Sequence, residues 1–247
     1  MTNNPLEFRA GVVAPMECLK EGWAMIKDHY WLFLGITIVG MLIGSAFAIV
    51  LLGPMMCGVY LCLLQHQRGE KIEFGMLFKG FDYFLPGFVA QLIKSIPVFV
   101  VMVPFYVVMI GMMVANMPRR GEPDQGFMFT VFGFEIFFFL ILMIVGLLVE
   151  IFCLFAFPLI VDRKLSGLEA IKLSLRASRA NLGGVIGLLL LNALFGSLAL
   201  LACIVGVYFY LPVSFAAHTV AYRRVFPDIG DMGMYPPSPP PPGNWAA

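Results

Sequence analysis

The chain has 247 residues, of which 60% are hydrophobic and only 13% are charged, and its formal net charge is +1. A water-soluble protein of this size needs more charged residues than that to cover its surface, so the composition excludes a soluble globular protein. The mean hydropathy of +0.90 favours an integral membrane protein instead.

The first predicted element is an amphipathic helix that precedes the first membrane span. Its apolar residues recur at steps of three and four, the spacing of one helix face. These residues are Met16, Leu19, Trp23, Ile26 and Tyr30. Because Lys20 and Lys27 lie off this stripe, we expect the helix to lie on the cytoplasmic leaflet with its apolar face toward the lipid.

Apolar runs that can cross a hydrocarbon layer of ~30 Å predict six membrane spans. They lie near residues 31–52, 54–67, 86–115, 127–160, 182–202 and 203–222. The second and last runs have an alternative as half-helices that never cross. Four crossings, however, would move the basic segments around Arg68 and Arg163 to the far side, against the positive-inside rule. We therefore predict an all-α polytopic bundle of six transmembrane helices with both termini in the cytoplasm.

Three ionisable residues lie inside the third and fourth spans, where a charge costs at least ~2.5 kcal/mol. Lys94 and Glu150 are equally far along the chain from the predicted hairpin tip near Glu122, so we predict an ion pair at equal depth. The alternative is that Lys94 extends to the headgroups and Glu150 lies at the interface. Glu135 is about 60° around an ideal helix from Glu150, so we expect both acids to face the bundle interior.

A second surface helix is predicted over residues 166–181. Ser166 and Glu169 have the spacing of a capping box, which marks a helix start. The apolar stripe consists of Leu168, Ile171 and Leu175. The polar face carries the basic residues Lys172, Arg176 and Arg179. Such a face is attracted to anionic lipid headgroups, although the alternative is that these charges only set the topology.

The fifth span contains one polar residue, Asn192, which we expect to hydrogen-bond to a neighbouring helix. Small residues that let helix backbones approach one another also occur in the first and fifth spans. They are Gly40, Gly44, Gly187 and Gly196. We expect these two spans to cross each other through these glycines.

The two ends of the chain resemble each other when one is shifted by 152 residues. The shift superposes the predicted surface helices and the spans that follow them, which predicts repeats at about 15–67 and 166–224 around an inserted hairpin at about 84–160. Four crossings separate equivalent elements, so the repeats have the same orientation. We therefore predict one membrane domain, 1–226, followed by a proline-rich disordered tail, 227–247, for which docking in an aromatic groove is the alternative.

Signatures of catalysis and of bound cofactors are missing from the sequence. It contains no GxSxG, HExxH or glycine-rich phosphate loop, and the five cysteines form no CxxC pair. His66 and His218 correspond under the shift of 152, and we interpret them as interface residues, with metal or tetrapyrrole ligation as the alternative. We expect no catalytic residue, no metal and no cofactor.

Two stretches carry a family resemblance: 68–81, which includes Arg68, Glu70 and Lys79, and 157–162, which ends at Asp162. They resemble multi-pass bacterial inner-membrane proteins with a domain of unknown function. They are also similar to the membrane domain that accompanies some glycerophosphodiester phosphodiesterases. The resemblance implies an address in the bacterial plasma membrane, and it implies no activity because no phosphodiesterase domain accompanies the chain.

These observations predict a non-enzymatic membrane protein that acts by helix packing, as a scaffold or accessory subunit. Its expected partners are membrane lipids and either a larger membrane complex or further copies of itself, and no nucleic acid. The alternative is a small transporter or lipid-handling protein with Lys94, Glu135, Glu150 and Asn192 along its path.

Overall fold

The computed structural model describes residues 8–46, 50–115, 125–202 and 204–227, and these residues form helices and turns with no β-strand. The helices are α1 (Pro15–Ile26), α2 (Tyr30–Ala46), α3 (Leu52–Gln67), α4 (Phe84–Ala115), α5 (Gln125–Cys153), α6 (Ala156–Arg163), α7 (Gly167–Ala180), α8 (Leu182–Ala202) and α9 (Ile204–Val225). Two 3-10 segments, Lys27–His29 and Phe74–Tyr83, precede α2 and α4. The predicted all-α class is confirmed, and the predicted tail lies outside the described residues except for Pro227.

Four helical stretches are long and apolar enough to cross a membrane. They are Pro15–Ala46, Phe74–Ala115, Gly126–Arg163 and Leu182–Leu201. The short helix α3 has 16 residues, or about 24 Å at 1.5 Å per residue, which is less than the ~30 Å of a bilayer core. The helical fold is compatible with a membrane protein, and the count of six crossings stays a prediction.

Helix α3 is central, and it contacts α2, α4, α6 and the 3-10 segment before α4. The 3-10 segment packs closely because the backbone of Leu77 lies where a side chain on Gly58 would project. Further along, Gly80 lies against the backbone of Pro54, and Gly87 of α4 lies against Gly53. The small residues therefore let the 3-10 segment and the start of α4 run antiparallel along α3.

The hydrophobic core is built around α3, and residues of α6 and α9 contribute many of its large side chains. Its large side chains are almost completely buried, and they include Phe155, Leu159, Ile160, Tyr222 and Phe226. The rings of Phe155 and Phe226 are 6.0 Å apart between centroids and nearly perpendicular, an arrangement that aromatic pairs prefer. The core thus joins α9 to the segment that follows the α4–α5 hairpin.

Helix α1 packs against the protein body, so its predicted apolar stripe does not all face lipid, and its position on the leaflet stays a prediction. It packs along α9, and a Cβ added to Gly22 would lie only 2.6 Å from the backbone nitrogen of Ala217. Met16 and Trp23 of the predicted stripe are about half exposed. The face of α1 that packs on α9 has smaller side chains than the predicted stripe. The reason is that helices approach each other closely only where side chains are small. The buried residues of α1 are Cys18, Leu19, Gly22 and Ile26.

Helix α7 begins at the predicted capping box. The Ser166 hydroxyl accepts a hydrogen bond from the Glu169 amide, and the Glu169 carboxylate accepts one from the Ser166 amide at 3.2 Å. Hydrogen bonds from Ser166 hold the pKa of Glu169 below its usual range. The protein-facing side of α7 consists of the small or apolar residues Gly167, Ala170, Leu173, Ser174, Ala177 and Ser178.

The other side of α7 carries the predicted apolar stripe and the predicted basic residues. Leu168 is exposed, and Ile171 and Leu175 are half-buried. The exposed basic side chains are Lys172, Arg176 and Arg179. Leu168, Lys172 and Arg176 therefore face away from the body. Ile171 packs against the core, and the Arg179 guanidinium lies 5.8 Å from the centroid of the Phe152 ring of α5.

The four glycines predicted to bring α2 and α8 together do not do so. Gly40 and Gly44 face α3, while Gly187 faces the start of α1 and Gly196 faces α9. The prediction is wrong because most of these glycines pack within their own helical hairpin, and Gly187 accommodates the proline that begins α1.

Helices α4 and α5 form a hairpin that extends beyond the body of the protein. No described side chain of α4 after Ala90, and none of α5 before Ile151, is buried. The two helices meet through the ring of Phe105, which stacks on Phe134 and Phe138 with centroid distances of 5.1 and 3.4 Å. The remaining surface of the hairpin is apolar and exposed.

Candidate functional site

The ion pair predicted at the base of the hairpin is present. Lys94 Nζ lies 2.6 Å from Glu150 Oε2, as expected for residues at equal distances from a hairpin tip. The ammonium also lies 5.7 Å from the centroid of the Phe157 ring, where a cation is attracted to the ring face. The side chains of Lys94 and Glu150 are 22% and 40% exposed, so the pair is accessible from outside the protein.

The pair lies at the level where the hairpin leaves the body. Leu52, at the turn between α2 and α3, lines the same cleft as Lys94. From Ser95 to its end, α4 continues for about 21 residues, or ~32 Å, which matches the thickness of a bilayer core. The described part of α4 beyond the pair is therefore about as long as a bilayer core is thick.

A cleft of about 320 Å³ opens beside the ion pair between α4 and α5. Its polar floor includes Gln91, Lys94, Ser95 and Glu150, while its walls are formed by apolar residues. The Ser95 hydroxyl donates a hydrogen bond of 2.8 Å to the Gln91 carbonyl oxygen. The wall residues are Leu52, Val98, Phe99, Met102, Gly146 and Val149.

A second polar group joins α8 to α9. The Tyr210 hydroxyl donates to Asn192 Oδ1 at 2.6 Å, so the amide nitrogen of Asn192 is the group that faces His218 Nε2 at 3.2 Å. An amide nitrogen only donates, and Nε2 is therefore the acceptor. The proton of the neutral imidazole is then on Nδ1, which is buried without a hydrogen-bond partner among the described residues.

The interhelical role predicted for Asn192 is present, but the interpretation of His218 as an interface residue is wrong. His218 is 7% exposed and is within electrostatic reach of Glu150 and Lys94. The sequence could have predicted this hydrogen-bonded group by the argument used for Lys94 and Glu150. Asn192 and residue 214 are equally far along the chain from the α8–α9 turn, so they lie opposite each other. Tyr210 and His218 lie one helical turn before and after that residue.

We expect Asn192→Leu to destabilise the purified protein by about 1–2 kcal/mol, because it removes hydrogen bonds to both Tyr210 and His218. Tyr210→Phe removes one of these bonds and should cost less. Thermal unfolding in one detergent would measure both effects. A leucine variant as stable as the unchanged protein would contradict the hydrogen-bonded arrangement.

Glu135 does not join these polar groups. It is exposed on the outer part of α5, between the exposed residues Phe132 and Phe139. The prediction that Glu135 faces the bundle interior is wrong. Glu135 lies in the part of the hairpin that extends beyond the body, where α4 and α5 are not enclosed by the other described helices.

A buried carboxylate that the sequence did not reveal ties together the basic end of the molecule. Asp162 at the end of α6 is 2% exposed, and its oxygens lie 2.7 Å from an Arg68 nitrogen and 2.9 Å from an Arg223 nitrogen. Tyr222 donates a hydrogen bond of 2.6 Å to the same carboxylate, and the Arg163 guanidinium lies 3.4 Å away. Asp162 therefore neutralises cations from three separate parts of the chain.

The amino-terminal segment joins the same end. The Arg9 amide donates to the Val225 carbonyl oxygen at 2.8 Å, and the Asn181 amide nitrogen donates to the Arg9 carbonyl oxygen at 2.9 Å. Arg224 forms ion pairs of 2.8 and 2.7 Å with Glu17 and Glu21. The basic segments around Arg9, Arg68, Arg163 and Arg223 therefore lie at one end of the molecule.

Within the described part of the chain, no three His, Cys, Asp or Glu side chains lie close enough together to hold a metal ion. No protein-family model, curated protein or solved structure matches the chain.

Proposed function

We propose that this protein is a non-enzymatic membrane scaffold or accessory subunit that binds a membrane partner through the α4–α5 hairpin. The supporting observation is the outer hairpin, whose apolar side chains are exposed around its circumference. A hairpin about one bilayer thick, with phenylalanine stacking between its helices, is a packing surface without a polar path along it. Partners of this surface are a larger membrane protein or a second copy of the chain.

Its orientation follows from the basic end. We place the end that contains Arg68, Arg163 and Arg223 in the cytoplasm of a bacterial cell, since basic segments are retained on that side of the plasma membrane. Exposed basic residues of α7 would then contact anionic lipid headgroups, at about 1 kcal/mol for each cation. They are Lys172, Arg176 and Arg179.

The parallel repeat is supported by the positions at which corresponding helices begin. Two helix starts in the first half are followed by equivalent starts 152 residues later. The pairs are Pro15 with Gly167 and Tyr30 with Leu182. The inserted hairpin would then be the part that distinguishes this bundle from a simple duplicated unit.

Site-specific photo-crosslinking in native membranes tests the scaffold. A photoreactive residue at Val107 or Phe139, both exposed on the hairpin, should give discrete protein adducts. The same residue at Leu42, exposed on α2, is the matched control and should label mainly lipid. Equal labelling at the three sites, or a chain that elutes alone in mild detergent at every expression level, would contradict the proposal.

Lipid handling is the second candidate, and the cleft beside Lys94 and Glu150 favours it. A transport path that also includes Glu135 is less well supported, since that residue lies outside the polar cluster. The cleft is open to the outside of the protein, and its polar floor and apolar walls match an amphiphile.

A further inference from the structure

We propose that the cleft between α4 and α5 binds one phospholipid with a zwitterionic headgroup that carries a primary ammonium, such as phosphatidylethanolamine. This inference is independent of the hairpin's partner, and it rests only on the chain crossing a bilayer. It commits to a membrane lipid as the occupant.

Charge complementarity selects the headgroup. The floor of the cleft has one cation and one anion, Lys94 and Glu150, so an anionic headgroup would be attracted by one and repelled by the other. A zwitterion matches both, with its phosphate on the lysine and its ammonium on the glutamate. An ammonium has three N–H donors and a carboxylate has two oxygens, so both side chains have the capacity to bind the lipid while they remain paired.

Depth and shape select a lipid over a water-soluble ligand. About 21 residues of apolar helix α4 follow the pair, which is enough to cross a bilayer core, so we place the pair at the edge of the hydrocarbon layer. From this floor, Val98, Phe99 and Met102 extend along α4 toward the hairpin tip. These residues are half-buried or exposed, so they form an open groove along which an acyl chain can lie.

The primary ammonium is favoured over a quaternary one because it can donate hydrogen bonds to Glu150. A hydrogen bond to a charged group is stronger than one between neutral groups. We therefore expect phosphatidylethanolamine to bind about tenfold more tightly than phosphatidylcholine or phosphatidylglycerol, a difference of about 1.4 kcal/mol.

Native mass spectrometry of the full chain, titrated with these three lipids, tests the site. The unchanged protein should retain one phosphatidylethanolamine in preference to the others. Glu150→Gln should reverse the preference toward phosphatidylglycerol, because it removes the ammonium partner and leaves Lys94 free to bind an anion. A merely structural role for the ion pair would lower stability without reversing the order of the lipids.

A steric pair of variants keeps the test decisive if Glu150→Gln does not fold. Met102→Trp fills the groove without altering the ion pair and should lower bound phosphatidylethanolamine about tenfold. Met113→Trp makes the same change at an exposed site farther along α4 and should bind lipid as the unchanged protein does. Equal retention of the three lipids by the unchanged protein, or equal binding by the two tryptophan variants, would overturn the proposal. That result would leave the scaffold proposal standing, because the expected crosslinking of the hairpin does not depend on a bound lipid.

Discussion

Asp162→Asn should lower the free energy of unfolding by about 3–5 kcal/mol. The reason is that the carboxylate is 2% exposed and neutralises Arg68, Arg163 and Arg223. An amide of nearly the same shape would leave those cations to repel one another. Thermal unfolding in mild detergent should therefore show a large fall in Tm.

Glu17→Gln is the matched control for this prediction. It makes the same change of carboxylate to amide in the pair with Arg224, but the Glu17 side chain is 64% exposed. An exposed ion pair contributes about 0–1 kcal/mol, so the control should be close to neutral. If Asp162→Asn and Glu17→Gln had equal effects, Asp162 would not be the centre of a buried network.

Gly22→Ala should cost about 3 kcal/mol, the upper part of the range for overpacked cores. The added methyl group would lie 2.6 Å from the Ala217 nitrogen and 2.9 Å from its Cα. Both are backbone atoms of α9, which cannot move aside as the end of a flexible side chain can. We expect α1 to separate from α9, and limited proteolysis near the amino terminus to become faster along with the loss of Tm.

Gly111→Ala provides the comparison, since nothing lies within 4 Å of a Cβ built on that residue of α4. Alanine is favoured over glycine in a helix by about 1 kcal/mol, so this variant should be neutral or slightly more stable. Should Gly22→Ala behave in the same way, α1 would not pack closely on α9.

Predictions from the sequence were most accurate where the separation of two residues along the chain determines whether they are close in the structure. Two antiparallel helices joined by a turn bring residues at equal separations from that turn to the same depth, which predicted the pairing of Lys94 with Glu150. The capping box at Ser166 was equally local, because its hydrogen bonds connect residues three apart. Apolar run lengths likewise predicted that α2, α3, α4, α5, α8 and α9 are helical.

Contacts between distant helices were not predictable in this way. A small residue indicates that another helix approaches closely, but it does not indicate which helix. Gly40 and Gly44 therefore suggested a contact with α8, whereas they pack on α3. The stripe on α1 was misleading for a related reason, since lipid and a neighbouring helix are both apolar surroundings. Asp162 gave no signal because its partners are spread from Arg68 to Arg223 along the chain.

The position of Arg223 in the last helix determines when the basic end of the molecule can be completed during biosynthesis. Arg68 and Asp162 emerge from the ribosome well before α9, yet Asp162 acquires its contacts with Tyr222 and Arg223 only after α9 has been translated. A nascent chain that stops before α9 would therefore hold Asp162 without its contacts to Tyr222 and Arg223.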